Sequence, residues 1–409
     1  MSEAENHKAE APIRKRRVIY IPGYDPFHPR RYRELYRSES AAQAAISGYA
    51  ITQKPRSGQG PYGWSVEAEI EGVHTSAEVQ VLVWSDIVKS SMKPTILATY
   101  LDLARTAWAY IGSGALFRLM RLRKGPVIAA LYPVLFLLGQ LAIACAVAWG
   151  LWSALAALIH PYAGPLALAV IPPILMWFRR MDNKVFAYYL MHDYAFSARS
   201  KGANLPELEA RMADFGAVIF EALQSDAEEV LVVGHSSGAH LGVSILADLF
   251  RKGMVPEQGP VLSFLTLGQV IPMVSFLPKA ERLRADLHDL CQQSRLTWVD
   301  VTAPGDGCAF ALCDPVSVTG AAPAEGKLWP LVLSAAFTQT LSPERFRELR
   351  WKFFRLHFQY LCAFDRPGDY DYFRITAGPK TLAARLGHRA PSKSRIEAPV
   401  SKFTSRKAA

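Results

Sequence analysis

The stretch Gly234-His235-Ser236-Ser237-Gly238 constrains this chain more than any other. Before it runs Glu229-Val230-Leu231-Val232-Val233, a short apolar run opened by a charge, which reads as a buried strand. After it, residues 239–250 carry apolar side chains at helical spacing. A strand, a tight turn flanked by glycines and a helix make up the setting in which G-x-S-x-G presents a serine as a nucleophile. The small residues let the chain turn sharply without Cβ clashes. The serine then stands at a helix N-terminus, where free N–H groups and the dipole favour developing negative charge. The plainer reading of the same residues is a strand-to-helix turn with Ser236 as N-cap.

The flanking sequence repeats the alternation of strand and helix. Val18-Ile19-Tyr20-Ile21 is an apolar strand that runs into the turn Pro22-Gly23-Tyr24-Asp25, and residues 30–49 read as a helix. Strands are expected over 64–71 and 77–84, a helix over 205–223, and strands over 261–267 and 296–301. Such alternation predicts an α/β fold, a mainly parallel sheet covered by helices on both faces. Chemistry in such sheets sits beyond the carboxyl ends of the strands.

The middle of the chain breaks this pattern. Residues 126–159 carry almost no charge, a turn is expected at His160-Pro161-Tyr162-Ala163-Gly164-Pro165, and a second apolar run covers 166–178. A span needs about 20 apolar residues, so the first run is ample and the second is short unless it begins near Gly164 or earlier. The two runs read as a transmembrane helical hairpin over 126–178, and the bilayer is thereby an expected partner. Basic residues stand at both of its ends and none in its turn, which places both halves of the chain and both termini in the cytoplasm. Pro172-Pro173 also leaves room for a re-entrant hairpin in one leaflet. Residues 96–124 mix apolar and basic side chains, as suits a helix on a membrane surface or one packed on the globular part.

The organisation expected is therefore a disordered segment over 1–15, a first catalytic half over 16–125, the hairpin over 126–178, a second half over 179–380, and a basic disordered tail over 381–409. The formal charge is +10, gathered at 14–17, 118–124, 179–180 and along the tail. None of these clusters accompanies a nucleic-acid-binding pattern, and basic residues beside apolar runs suit an anionic membrane surface. Five cysteines without a CxxC argue for free thiols and against a disulfide framework or a zinc site. No cofactor or metal is expected, and no apolar signal segment opens the sequence.

The order of these parts resembles the α/β-hydrolase superfamily in its lipase/esterase-like branch. The residues that carry the resemblance are Ile21-Pro22-Gly23-Tyr24, Gly234-His235-Ser236-Ser237-Gly238, an acid-bearing loop after a late strand, and a late histidine. Pro22 departs from the His that many members carry before the Gly. In chain order the resemblance implies Ser, then Asp or Glu, then His. Ser236 would be the nucleophile and His357 the general base, the histidine at a plausible distance after the acid loop. Asp306 would be the acid, ahead of Asp314 and Asp300. The oxyanion hole would use the backbone N–H of Ser237 and one from Gly23 or Tyr24.

The resemblance implies a serine hydrolase that cleaves a carboxylic ester, a lipid or another apolar ester, through an acyl-enzyme, and the hairpin would anchor it in the membrane. Two other functions are compatible with the same residues. One is a hydrolase-fold membrane protein without activity that binds lipids or protein partners. The other is an acyltransferase that uses the same triad on an acceptor other than water.

Overall fold

The computed structural model describes residues 12–56, 60–92 and 95–408. Most of the expected disordered N-terminus thus lies outside the described residues, and Lys15 already opens the first strand. Eight strands form one mixed sheet: β1 (Lys15–Ile21), β2 (Ala50–Pro55), β3 (Gly63–Ile70), β4 (Val73–Val81), β5 (Glu229–His235), β6 (Val261–Leu267), β7 (Leu296–Thr302) and β8 (Leu331–Ser334). Their order is β2-β3-β4-β1-β5-β6-β7-β8. The pairs β2·β3 and β3·β4 are antiparallel; every pair from β4 to β8 is parallel. The α/β class expected from the alternation is the class observed.

Burial follows from position in this order. All seven residues of β5 are buried, because helices cover both faces of the sheet there. Successive side chains point to opposite faces, so Val230 and Val232 join one core layer and Leu231 and Val233 the other. The first layer lies under helices Pro206–Leu223, Gly238–Arg251 and Glu281–Leu290, and the second under Arg30–Ser47 and the short helix Tyr372–Ala377. At the polar edge, β2 (Ala-Ile-Thr-Gln-Lys-Pro) has no fully buried residue.

The turn after β5 is set by sterics. Ser236 has φ 56°, in the left-handed region that non-glycine residues seldom occupy. The helix Gly238–Arg251 comes so close to β1 that a Cβ on Gly238 would lie 2.0 Å from the Ile21 carbonyl oxygen, and the turn folds back so tightly on β5 that a Cβ on Gly234 would lie 2.8 Å from Gly238 O. Gly234 is therefore required by the turn and Gly238 by the approach of β1. Gly238→Ala should cost about 3 kcal/mol or more, since the methyl meets backbone that cannot rotate away. A thermal melt that leaves the midpoint unchanged would contradict this.

Two helices are long and apolar enough to cross a membrane: Lys124–Leu158, of 35 residues, and Pro161–Arg180, of 20 residues. The first is roughly 50 Å long at 1.5 Å per residue, more than the hydrocarbon core of about 30 Å. Ile128, Leu135, Leu138, Ile143, Val147 and Trp149 stand exposed along it. The second run starts earlier than the expected turn allowed. Residues 161–170 continue as a 3-10 helix, with the His160 side chain accepting from the Tyr162 N–H at 3.3 Å, and Ile171–Arg180 completes the segment.

Three other expectations change. The stretch 96–124 is not one helix: Ile96–Ala107 is followed by a π-helical turn at Trp108–Gly112 and then by Ala115–Leu122, with Gly114 at φ 77° between them. In the basic cluster 14–17, Arg16 is no surface group; it is 3% exposed and its Nε donates to Glu229 at 2.6 Å. The tail 381–409, expected to be disordered, packs along the domain as far as Lys407. Ile396 N–H donates to Leu312 O at 2.7 Å, Val400 N–H to Val318 O at 3.1 Å, and the buried Arg284 Nε donates to Ser405 O at 2.7 Å. The polar tail is ordered because its carbonyls and amides complete groups that would otherwise be buried without partners.

Candidate active site

Four loops meet at the carboxyl end of the sheet. Gly23-Tyr24 follows β1, Ser236 follows β5, Gly268 follows β6, and Asp306 lies four residues beyond β7. His357 closes the short helix Phe353–His357, which follows β8. Strand β1 connects outward to β4 on one side and pairs with β5 on the other, so the chain reverses direction across the sheet between them. A crevice at such a reversal is where open α/β sheets place their sites.

The acid and the histidine are brought together. His357 Nδ1 lies 2.8 Å from Asp306 Oδ2, with both side chains buried. The same carboxylate accepts from the Tyr360 hydroxyl at 3.0 Å, and its other oxygen from the Cys308 N–H at 2.9 Å. Tyr360 is fixed in turn by the Ala303 N–H, which donates to its oxygen at 2.9 Å. Burial alone would favour the neutral acid. The adjacent His357 charge and these donors prevail and hold the Asp306 carboxyl below its ordinary range.

Ser236 is half-buried and faces the same crevice. A Cβ placed on Gly23 would lie 3.4 Å from Ser236 Oγ, and one on Gly268 3.0 Å from His357 Cε1, so two loops without side chains border the pair. His235 links them in sequence and in space: its ring lies 4.9 Å from that of His357, and its Nε2 donates to the His357 carbonyl at 3.1 Å. Burial, with the His357 charge beside it, pushes His235 down to about 3, so it stays neutral. Ser236 Oγ is not hydrogen-bonded to His357 among the described residues. Such contacts often tighten only once substrate is bound.

The amides of Ser237 and Tyr24 have no backbone acceptor among the described residues. Tyr24 is held on three sides: its hydroxyl meets Ser91 Oγ at 2.6 Å, its carbonyl accepts from the Tyr189 hydroxyl, and its ring packs 5.5 Å from Phe196. Both Tyr189 and Phe196 belong to the helix Ala187–Arg199, which follows the hairpin.

The two other acids lie elsewhere. Asp314 caps the helix Pro315–Thr319, accepting from Val316 N–H at 3.0 Å and Ser317 N–H at 2.9 Å, and pairs with Lys327. Asp300 lies inside β7, where it accepts from Thr266 Oγ1 at 2.6 Å, and burial pushes it up to about 8. Its folded-state value exceeds the unfolded one of about 3.9. The native state therefore binds the extra proton, and stability falls as pH rises from about 4 to about 8. Asp300→Asn should remove that slope; equal slopes in pH-dependent melts of the two proteins would contradict it.

Three groups near the crevice escaped sequence reasoning. Tyr360 stands three residues after His357, and only the fold turns its hydroxyl to Asp306. His235 neighbours the serine in sequence, where the geometry of the turn alone would aim it elsewhere. Asp193, on the helix Ala187–Arg199, feels the His357 charge, yet burial pushes it up to about 7. Asp306, Cys308 and His357 offer three ligand atoms within 4.8 Å of one another. Burial and the Asp306 charge push the Cys308 thiol well above its ordinary value, and the other two atoms already bond each other, so the set suits a proton relay better than a metal. No protein-family model, no curated protein and no solved structure matches this chain.

Proposed function

We propose that the chain is a membrane-anchored serine hydrolase of α/β-hydrolase type that cleaves an ester of an apolar carboxylic acid. The observation that carries this reading is the buried Asp306–His357 pair beside a serine held at φ 56° in a glycine-bounded turn. Strain of that kind is kept where surrounding structure enforces it, often at functional sites. In this reading Ser236 attacks the ester carbonyl, and His357 takes its proton and returns it to the leaving alcohol. Asp306 holds the imidazole with Nδ1–H toward its carboxylate, which leaves Nε2 free to act as base. The amides of Ser237 and Tyr24 receive the oxyanion. Water then releases the acid. The hairpin crosses the bilayer twice, and Arg121, Arg123, Lys124, Arg179 and Arg180 keep both catalytic halves in the cytoplasm.

The missing Ser236–His357 hydrogen bond favours a second reading, a hydrolase-fold membrane protein that binds lipids or partners without turnover. A panel of esters graded in acyl length, offered to the full chain in detergent micelles, separates the two. Hydrolysis that improves with chain length is expected. No turnover of any ester above the buffer rate would favour the binding protein.

A further inference from the structure

The helix that carries His357 is preceded by an unusual surface. Residues 350–355 read Arg-Trp-Lys-Phe-Phe-Arg, and all six are exposed. Trp351 is 72% exposed, Phe353 47% and Phe354 37%. The Trp351 and Phe353 rings lie 6.4 Å apart, and exposed apolar patches rimmed by polar groups mark interaction or membrane sites. Across 343–355 five cations face two acids, Glu344 and Glu348, and Glu348 is shared by Arg345 and Lys352. The guanidinium of Arg350 sits 5.5 Å over the Trp351 ring. Aromatic rings interleaved with basic groups suit the headgroup layer, where rings bury their apolar bodies and cations meet anionic lipid.

Position supplies the independent argument. The surface lies beside both roots of the hairpin, reaching the first through Gly307. A Cβ on Gly307 would lie 3.4 Å from Phe353 Cδ1, and one on Gly125, at the start of the first long apolar helix, 3.4 Å from Gly307 Cα. On the other side, the Phe354 ring lies 5.7 Å from Phe186 and 6.3 Å from Tyr189, just past the end of the second apolar helix. The segment is therefore continuous with the two points at which the chain leaves the spans.

We infer that residues 350–355 are a second membrane contact, seated in the anionic headgroup layer of the bilayer that the hairpin crosses. Phe353 and His357 belong to one short helix, so this contact holds the mouth of the site against the leaflet. An ester would then reach His357 from the headgroup layer rather than from bulk water. The inference rests on the membrane-spanning reading of the hairpin; the contact itself does not require turnover.

The test is tryptophan fluorescence of the full chain in phosphatidylcholine vesicles containing phosphatidylglycerol, with no substrate present. The difference between wild type and Trp351→Phe isolates the emission of Trp351. It should be quenched by lipid brominated near the headgroup and shielded from iodide. Emission open to iodide and untouched by brominated lipid, in protein that floats with the vesicles, overturns the contact while leaving the hairpin reading intact. Protein that does not float overturns both. Arg350→Glu with Lys352→Glu gives a second route through exposed side chains should Trp351→Phe misfold. Quenching by brominated lipid should fall in that variant, and unchanged quenching overturns the inference. A catalytically silent protein gives the same readings, so failure of the hydrolase reading is seen separately in the ester panel.

Discussion

Ser236→Ala should lower ester hydrolysis by about 10⁶-fold if Ser236 is the proposed nucleophile, because loss of a triad nucleophile removes nearly all that the three residues of a triad achieve together. The fold should not change. Alanine keeps the Cβ that already sits at φ 56°, and among the described residues the hydroxyl makes no hydrogen bond that folding needs. The melting midpoint should therefore move by no more than a surface substitution does, about 0.5 kcal/mol in stability. Rate measurements on wild type and variant, paired with melts, check both statements. A variant that hydrolyses esters at the wild-type rate would remove Ser236 from the mechanism. A variant that loses rate and stability together would mean that the turn itself had failed.

Asp306→Asn should lower kcat by about 10⁴-fold, and the hydrogen bonds of the carboxylate say why. The Cys308 N–H donates to Oδ1, so the amide oxygen of the introduced asparagine would stay on that side. Its NH₂ would then face His357 Nδ1, where the carboxylate accepted before. The imidazole would have to turn Nδ1 into an acceptor and carry its proton on Nε2. In that tautomer it cannot take a proton from Ser236. Asp314→Asn is the matched control. Its acid caps a helix and pairs with Lys327, so it should lower stability and leave kcat near wild type. Reversed outcomes for the two variants would move the acid from Asp306 to Asp314.

The parts of this architecture that the sequence made legible are those governed by local rules. The central strands β1, β5, β6 and β7 are short apolar runs, and nearly every residue in them is buried, so hydrophobicity alone marks them. The turn at Gly234–Gly238 was legible because glycine is demanded twice, by the tight turn around Ser236 and by the approach of β1. Strand β2 carries Thr, Gln, Lys and Pro on a polar edge, and β8 has four residues, so neither has a pattern to read. In the tail, order comes from partners far away in sequence, such as Arg284 with Ser405.

The site divides in the same way. Composition and chain order offered Asp306, Asp314 and Asp300 without separating them decisively, since each lies in or soon after one strand. Hydrogen bonds separate them: only Asp306 meets His357, while Asp314 is spent on a helix cap and Asp300 on Thr266. Tyr360 and His235 were illegible as parts of the site because their contacts cross from one loop to another. Asp193 comes from a helix that the hairpin separates in sequence from the first half of the domain. Its approach to His357 depends on how the hairpin returns the chain to the sheet.

The central claim is that Ser236 is a nucleophile activated by His357. Its most direct test is the reaction of the full chain in detergent with a fluorophosphonate, followed by peptide mapping of the adduct. A single phosphonylated residue, Ser236, is expected, with labelling lost in Ser236→Ala and strongly slowed in His357→Ala. Wild-type protein that takes up no label, or label that persists in Ser236→Ala, would contradict it.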